Sequence, residues 1–399
     1  MDPTLSPEHA DLQERTRRFV DEVVIPLEAR DASSSDSPAG HGPDEALRTD
    51  LQDAAKAAGL FAPHVGTEFG GLGLDVRGQA VVFEEAGRSL LGPLALNCAA
   101  PDEGNMAMLE KIATPEQADR FLAPLAAGDV RSAFAMTERA PGAGSDPSML
   151  RTTAIRADGG WAITGEKWFI TGGVGAAFAI VMAKTEGGAT MFLVEADTPG
   201  YRVEEAIDTI DRISPGGHAR ITLTDCVVPE DQVLGAVGEG FKYAQVRLAP
   251  ARLTHCMRWL GLGRRALEIA MDRAATRQAF GQRLADLGLA QRLIADAVID
   301  IETSRAIIAR TAAVLDSGAD GGLASSIAKV HCSEAAFRIV DSAVQLCGSD
   351  GITTDPLGRY MAEVRPFRIY DGSNETHRWS IARRSVRARE KATGAVVAR

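Results

Sequence analysis

Hydrophobic residues change their spacing twice along this chain, near residue 130 and again near residue 233, and those two changes limit the folds open to it. Before the first change the spacing is helical. Ser6 with Pro7 behind it suits an N-cap and first turn, and Leu12, Phe19, Val20, Val23 and Val24 supply an apolar stripe. Pro26 is expected to end or kink that helix. The serine-rich segment from Ala32 to Pro43 reads as an exposed loop, and a second helix runs towards Gly59. Glu68 to Asp75, E-F-G-G-L-G-L-D, is a glycine-punctuated turn, after which Arg77 to Arg88 resumes a helix. Between the two changes the apolar runs are short or alternating: Thr152 to Ala157, Trp161 to Thr164, Phe178 to Met182, Thr190 to Val194 and Ala219 to Leu223, bounded by Gly, Pro and Asp turns. After the second change, Leu289, Leu293, Ala297, Ile301, Ile308, Ala312 and Leu315 recur in multiples of three and four, as do Leu323, Ile327, Val330, Phe337, Val340, Val344 and Cys347. The expected architecture is therefore α+β and multidomain. An N-terminal α-helical domain covers 1–129, a middle antiparallel β-barrel or sandwich covers 130–232, and a C-terminal four-helix bundle covers 233–399.

Composition excludes several functions. A formal net charge of -11 argues against nucleic acid and against an anionic membrane surface as partners. No run approaches the roughly eighteen apolar residues of a membrane span. The first residues carry Asp2, Glu8, Asp11 and Glu14 and no secretory hydrophobic segment. Cys98, Cys226, Cys256, Cys332 and Cys347 are scattered without a C-x-x-C pair, so neither a disulfide framework nor a zinc ribbon is expected. A reducing, cytoplasmic compartment is the expectation, and the unclustered histidines suggest no metal.

Two motifs invite a reading that their context denies. Gly261-Leu-Gly263-Arg-Arg-Ala266 satisfies a dinucleotide fingerprint, with Asp286 beyond it, but the residues before it, Arg252 to Leu260, read as helix where a strand is required. Ser326-Ile-Ala-Lys329 fits S-x-x-K without its companion motifs, and reads as a lysine on a helix face.

Other segments carry more. Met136 to Asp146 reads M-T-E-R-A-P-G-A-G-S-D, and Glu166 to Thr171 reads E-K-W-F-I-T. The first is a loop of small residues whose N–H groups and hydroxyls suit an anion or heterocycle at close approach. Together they resemble the two flavin-contacting strips of the acyl-CoA dehydrogenase family. Arg277-Gln-Ala-Phe280-Gly281 is similar to that family's R-x-x-F-G, and Gln345-Leu-Cys-Gly348-Ser349 to its Q-x-x-G-G, with Ser in place of the last Gly. Ile369-Tyr370-Asp371-Gly372-Ser373-Asn374-Glu375-Thr376-His377 resembles the segment that carries its catalytic base. The resemblance covers essentially the whole chain.

The resemblance implies FAD as the cofactor, with Phe134, Met136 and Thr137 along the isoalloxazine and Gly144 and Ser145 near the ribityl and phosphate. By the same likeness, Phe169 and Thr171 meet the dimethylbenzene and N5 regions, Phe169 standing where the family usually has Trp. Arg277 and Phe280 reach the adjacent subunit's FAD, as do Gln345 and Gly348, with Gln291 as a further candidate. Arginine suits a diphosphate because its planar fork bonds two oxygens. Ser373 and Glu375 join the cofactor set, and Ser145, Arg252 and Gly372 the substrate set, Arg252 near the thioester and able to orient Asp371.

Asp371 stands where the family usually has Glu. That base takes the α-proton of a thioester while the β-hydride goes to flavin N5. Its backbone N–H and a flavin ribityl hydroxyl polarise the thioester carbonyl. Aspartate is shorter by one C–C bond, roughly 1.5 Å, and a misplacement of ~1 Å can cost ~10²-fold. No substitute stands at Ala251, where some relatives place the base. Arg247-Leu248, Pro250, Arg252, His255-Cys256-Met257-Arg258 and Gly261 resemble a subgroup in which Asp is usual. Its eukaryotic members carry a kinase-like domain ahead of the dehydrogenase.

The expected function is FAD-dependent α,β-dehydrogenation of an acyl-CoA, or of a thioester on acyl carrier protein, within fatty acid metabolism. Electron-transfer flavoprotein is the expected acceptor, and a homotetramer or homodimer the expected assembly. Two alternatives stand beside it. A flavin oxidase or monooxygenase like nitroalkane oxidase also uses Asp as base and would reoxidise rapidly in air. A non-catalytic partner subunit would be colourless.

Overall fold

The computed structural model describes residues 5–33 and 41–393, which fall into two compact units, 1–251 and 252–399. In the first unit, helix α1 (Pro7–Phe19) is capped as its sequence leads one to expect: the Ser6 hydroxyl accepts the His9 N–H, and Pro7 sits in the first turn where its missing donor costs nothing. The helix does not end at Pro26. One wide π turn over Val20–Val24 precedes α2 (Ile25–Ser33), and the Ile25 N–H reaches back to the Val20 carbonyl. That extra residue shifts the register just before the residue with no N–H to give, so the chain stays helical past it. Of the serine-rich loop expected at 32–43, residues 34–40 lie outside the described residues.

Helices α3 (Glu45–Ala57) and α4 (Val76–Ala86) are capped by Asp44 and Asp75. The shorter α5 (Gly92–Ala95), α6 (Asp102–Ile112), α7 (Pro115–Gln117) and α8 (Ala123–Ala127) complete the helical part. Eight strands follow: β1 (Ser132–Ala135), β2 (Thr153–Ala157), β3 (Gly160–Thr171), β4 (Phe178–Thr185), β5 (Gly188–Glu195), β6 (Tyr201–Ile207), β7 (His218–Val228) and β8 (Val233–Leu234). They make one sheet in the order β6-β7-β3-β2-β4-β5-β8, with β1 beside β4.

The pairing is mostly antiparallel, in line with the expectation for the middle domain. β1 runs parallel to β4, Ser132 opposite Phe178, and β2 meets it in parallel at Thr153 and Lys184. Residues from β1 to β7 share one apolar cluster, Trp161, Val181, Phe192, Tyr201 and Val228 among them, so the sheet curls around a single interior. Sequence pattern misses β1, which is four small or apolar residues, and β6, whose face to solvent carries Arg202 and Glu205. It also cuts β3 short: the strand runs on through the whole E-K-W-F-I-T segment.

Helix α9 (Gly240–Thr276) spans the junction of the two units and continues through Pro250. The second unit adds α10 (Gly288–Asp316), α11 (Gly322–Cys347), α12 (Arg359–Val364) and α13 (Asn374–Thr393), with a small ribbon of β9 (Gln278–Ala279) and β10 (Gln282–Arg283) between α9 and α10. On α10 the stripe of Ala297, Ile301, Ile308 and Ala312 is buried, but Leu289 is 81% exposed. On α11 the most buried face is not the large-residue stripe. It is a mostly small one, Ser325, Ala328, Cys332, Ala335, Ala336, Ile339 and Ala343, with Lys329 among them; of the predicted stripe Val340 and Cys347 are buried, while Leu323, Ile327, Val330, Phe337 and Val344 are half-buried. Small side chains let neighbouring helices approach closely, and that outweighs the bulk of the stripe beside them.

Candidate functional site

Two groups of predicted residues come together, one in each unit. In the first unit the strip after β1 lies along β3. The Trp168 N–H donates to the Thr137 carbonyl at 2.9 Å, and the buried Lys167 ammonium donates to the Met136 carbonyl at 3.3 Å and to Glu138 Oε1 at 2.9 Å. Glu138, in the loop of small residues, faces inward. Its carboxylate accepts the N–H groups of Ala143, Arg151 and Thr152 and the Thr152 hydroxyl, and so ties down both ends of the 138–152 loop. Burial pushes its pKa up, but the Lys167 charge and the Thr152 hydroxyl and amide outweigh it, holding the carboxyl at about 2. Burial brings Lys167 down to about 8, with Glu138 opposing.

Phe169 sits at a bulge in the pairing of β3 with β7, between Lys167 and Ile170. Its φ is +60° and its side chain stays 45% exposed, stacked on His218 with ring centroids 5.0 Å apart. A bulge turns one side chain out of the strand's alternation, and left-handed backbone at an aromatic residue needs such support. Thr171 Oγ1 lies 3.0 Å from His218 Nδ1, and His218 Nε2 lies 2.9 Å from Asp211 Oδ2. Burial raises the Asp211 carboxyl, but the His218 hydrogen bond and charge bring it below its ordinary value. Phe134 is half-buried, with the Arg247 guanidinium 4.3 Å from its ring centre. Met136 and Thr137 are half-buried, and Gly144 and Ser145 are exposed. Gly144 has neither a positive φ nor a protein atom within 4 Å of where a Cβ would stand, so no protein contact explains its lack of a side chain.

In the second unit Asp371 sits in the turn before α13, at φ +53°, followed by Gly372 at +90°. A Cβ on Gly372 would come within 2.8 Å of His377 Nε2, so glycine is required there twice over. The turn is held by its carbonyls. Arg252 Nε and His377 Nε2 both donate to the Asp371 carbonyl at 3.0 Å, and Lys329 Nζ donates to the Gly372 carbonyl at 2.8 Å and to Asn374 Oδ1 at 2.8 Å. Arg252 thus meets Asp371 through the main chain. The side chain of Asp371 is met by His255, whose Nε2 lies 3.4 Å from Oδ2. Burial brings Lys329 down to about 8 against the Asp371 charge, and burial with the Arg252 charge brings His377 down to about 4.

Ser373 is half-buried, its Oγ 3.1 Å from the Thr376 hydroxyl, and Glu375 is exposed. Arg277 and Phe280 follow α9; Arg277 is exposed and Phe280 is 92% exposed at φ +53°. Gln345 is exposed near the end of α11, and Gly348, at φ +62°, ends that helix. An ion pair of 2.9 Å between Arg273 and Asp350 brings the end of α9 to the loop after α11. Gln291 is exposed, its amide donating to the Ala285 carbonyl.

Family profiles match in three consecutive stretches: the acyl-CoA dehydrogenase N-terminal domain over residues 6–129, its middle domain over 133–226 and its C-terminal domain over 238–386. The chain belongs to the acyl-CoA dehydrogenase family. It is 35% identical over 407 residues to a Mycobacterium tuberculosis protein described as a probable acyl-CoA dehydrogenase, covering 98% of each chain. It is 34% identical over 396 residues to acyl-CoA dehydrogenase family member 10 of Mus musculus, covering 95% of this chain but only 37% of that longer protein. A Mycobacterium abscessus structure assigned to the acyl-CoA dehydrogenases superposes with a TM-score of 0.89 at 35% identity, over 96% of this chain and 99% of that one. The FAD complex of PigA does so with 0.85 at 26% identity, over 96% and 99%. The chain is thus an oxidoreductase of this family. Among the described residues no helix is long and apolar enough to cross a membrane.

Several residues of these two groups give little sign of themselves in the sequence. Ser326-x-x-Lys329 reads there as a helix-face lysine, yet Lys329 is buried under the Asp371 turn and the Ser326 hydroxyl meets His377 Nδ1 at 3.1 Å. A lone lysine in a run of Ala, Ser, Ile, Val and Cys is the available signal. His218 and Asp211 offer none, since only the folded sheet brings them behind Thr171.

Proposed function

We propose that this chain catalyses the α,β-dehydrogenation of an acyl thioester carried on CoA, with FAD as cofactor and Asp371 as the base. The observation that carries the reading is the Asp371 turn. Its backbone is left-handed and held by donors from three helices, the half-buried Arg252 and the buried Lys329 and His377, and left-handed backbone at a non-glycine residue held this firmly is a mark of a functional site.

The residues fit a flavin. An exposed aromatic at Phe169, a glycine at 144 with open space beside it, and a second exposed aromatic at Phe280 beside Arg277 offer stacking, close approach and a diphosphate-binding fork. Phe134, Met136, Thr137, Gly144, Ser145, Phe169, Thr171, Ser373 and Glu375 are proposed to hold it, and Arg277, Phe280, Gln345 and Gly348 to reach the FAD of an adjacent subunit. When bound, FAD supplies the two-electron acceptor for the β-hydride, which no side chain offers.

The protein's own part begins with Asp371, whose carboxylate takes the Cα proton. Arg252 and His377 keep its carbonyl, and therefore its Cα, in place. His377 is neutral at physiological pH, because with a pKa of about 4 it is deprotonated there; a carbonyl can only accept, so its Nε2 carries the proton and its Nδ1, 3.1 Å from the Ser326 hydroxyl, keeps its lone pair. The Asp371 N–H is offered to the thioester oxygen, and Ser145, Arg252 and Gly372 to the rest of the substrate. Electron-transfer flavoprotein is the proposed acceptor and a homo-oligomer the proposed assembly.

The test is Asp371→Asn, assayed with straight-chain, branched and hydroxylated acyl-CoAs and ferrocenium as acceptor. A loss of about 10³-fold or more in kcat with the yellow cofactor retained is expected. Activity kept across the panel would sink the assignment. Rapid reoxidation by air of the reduced, product-bound protein would instead favour an oxidase.

A further inference from the structure

We propose that His255 is a positioning residue for the Asp371 carboxylate, presenting an Nε2–H to Oδ2 and holding a side chain too short to fill the reach of the usual glutamate. The inference rests on the reading of Asp371 as the base.

Charged and titratable groups face Asp371 from three helices: Arg252 and His255 from α9, Lys329 from α11 and His377 from α13. Their contacts at the turn divide the work. Arg252 and His377 donate to the Asp371 main-chain carbonyl, and Lys329 to the Gly372 carbonyl and Asn374. These fix the backbone and leave two side-chain torsions to be set. His255 approaches the carboxylate itself, with Nε2 at 3.4 Å from Oδ2.

The other ring nitrogen decides what His255 can offer. Arg258 lies 3.2 Å from His255 Nδ1. A guanidinium only donates, so Nδ1 presents its lone pair and the proton of the neutral ring stands on Nε2, towards Asp371. The ring plane is set by Tyr370 and Phe367, with centroids 4.8 and 5.8 Å away. Tyr370 is in turn held by the Trp259 indole N–H. Arg258, His255 and Trp259 lie within one turn and a half of α9, so a single rigid helix aims the donor. A hydrogen bond to the charged form of a carboxyl favours that form. His255, whose Nε2 stands 3.4 Å from Oδ2 without closing a hydrogen bond there, therefore aims its donor at the charged form as well as orienting it.

The experiment compares holoenzyme variants in the acyl-CoA and ferrocenium assay across pH. His255→Phe, which keeps the ring packing and removes the donor, is expected to lower kcat about 10- to 100-fold with KM nearly unchanged. Loss of the donor raises the carboxyl pKa, so the acidic limb of kcat/KM should move to higher pH by about one unit. His255→Gln restores an N–H donor and should recover most of both. A second readout needs no turnover. In protein carrying 15N-labelled histidine, the His255 signal, identified by its loss in His255→Phe, should show the proton on Nε2. An unmoved acidic limb in His255→Phe, with Asp371→Asn inactive, overturns the role of His255 and leaves the base standing. A proton found on Nδ1 overturns it too, even where His255→Phe does not fold. Activity surviving in Asp371→Asn overturns the base itself.

Discussion

Lys329 shows how much one buried side chain can hold. It has no exposed surface and two acceptors, the Gly372 carbonyl and Asn374 Oδ1. Asn374 passes the contact on through its amide to Ser333 and Glu334. Lys329→Met keeps the length and removes the donors, leaving those acceptors buried without their partner. We expect a loss of about 1–3 kcal/mol in urea unfolding, and a lower kcat with the FAD still bound. His377 adds a pH signature. Its folded pKa, about 4, lies below the ordinary 6.5, so between those values the unfolded chain binds more protons. The stability that depends on its neutral form is complete above about 6.5 and is lost as pH falls towards 4. Urea unfolding at a series of pH values should show that fall, and His377→Gln should flatten it.

At the scale of elements, β3 is the organising piece of the first unit. Its bulge turns Phe169 outward, its end carries Thr171, and its buried Lys167 reaches over to Glu138. The ion pair is desolvated on both sides, with side-chain exposures of 0% and 3%, and is compensated by the Thr152 and Arg151 donors. Breaking such a pair from one side costs more than the pair contributes, because the other charge stays buried. Glu138→Gln is therefore expected to destabilise the protein by about 3–5 kcal/mol, measurable as a lower denaturant midpoint. The wild type should also lose stability as pH falls from the ordinary 4.5 through about 2, and the variant should lack that limb.

At the scale of the whole molecule, several apolar side chains gain nothing from their own chain. Phe280, at 92% exposed, and Leu289, at 81%, stand at and just beyond the ribbon that follows α9. Large apolar side chains exposed close together in sequence mark a surface that another molecule can cover. The proposed occupants are a second subunit and its FAD. Phe280→Ser should then leave the thermal stability of the cofactor-free protein unchanged while weakening FAD retention and shifting the sedimentation profile towards smaller species. A variant that retained FAD and assembly as the wild type does would remove that role from Phe280.

The order of helical, β and helical segments is legible because hydrophobic period is a local property: each stretch announces which face it will bury. The cap at Ser6 is written in the same local terms, and so is the Asp371 turn, as a residue sequence. What local pattern does not reveal is where a polar side chain ends up once it is buried. Pro26 departs from its local rule because a π turn is a cooperative adjustment of backbone register, invisible in residue type. Lys329 departs from its own because its acceptors lie 43 and 45 residues away, and Ser326 because its histidine lies 51 residues away. Period and composition determined which helices and strands exist; tertiary packing alone decided which buried donors converge on one turn, since desolvation forces each to find a partner and only the folded chain brings those partners within reach.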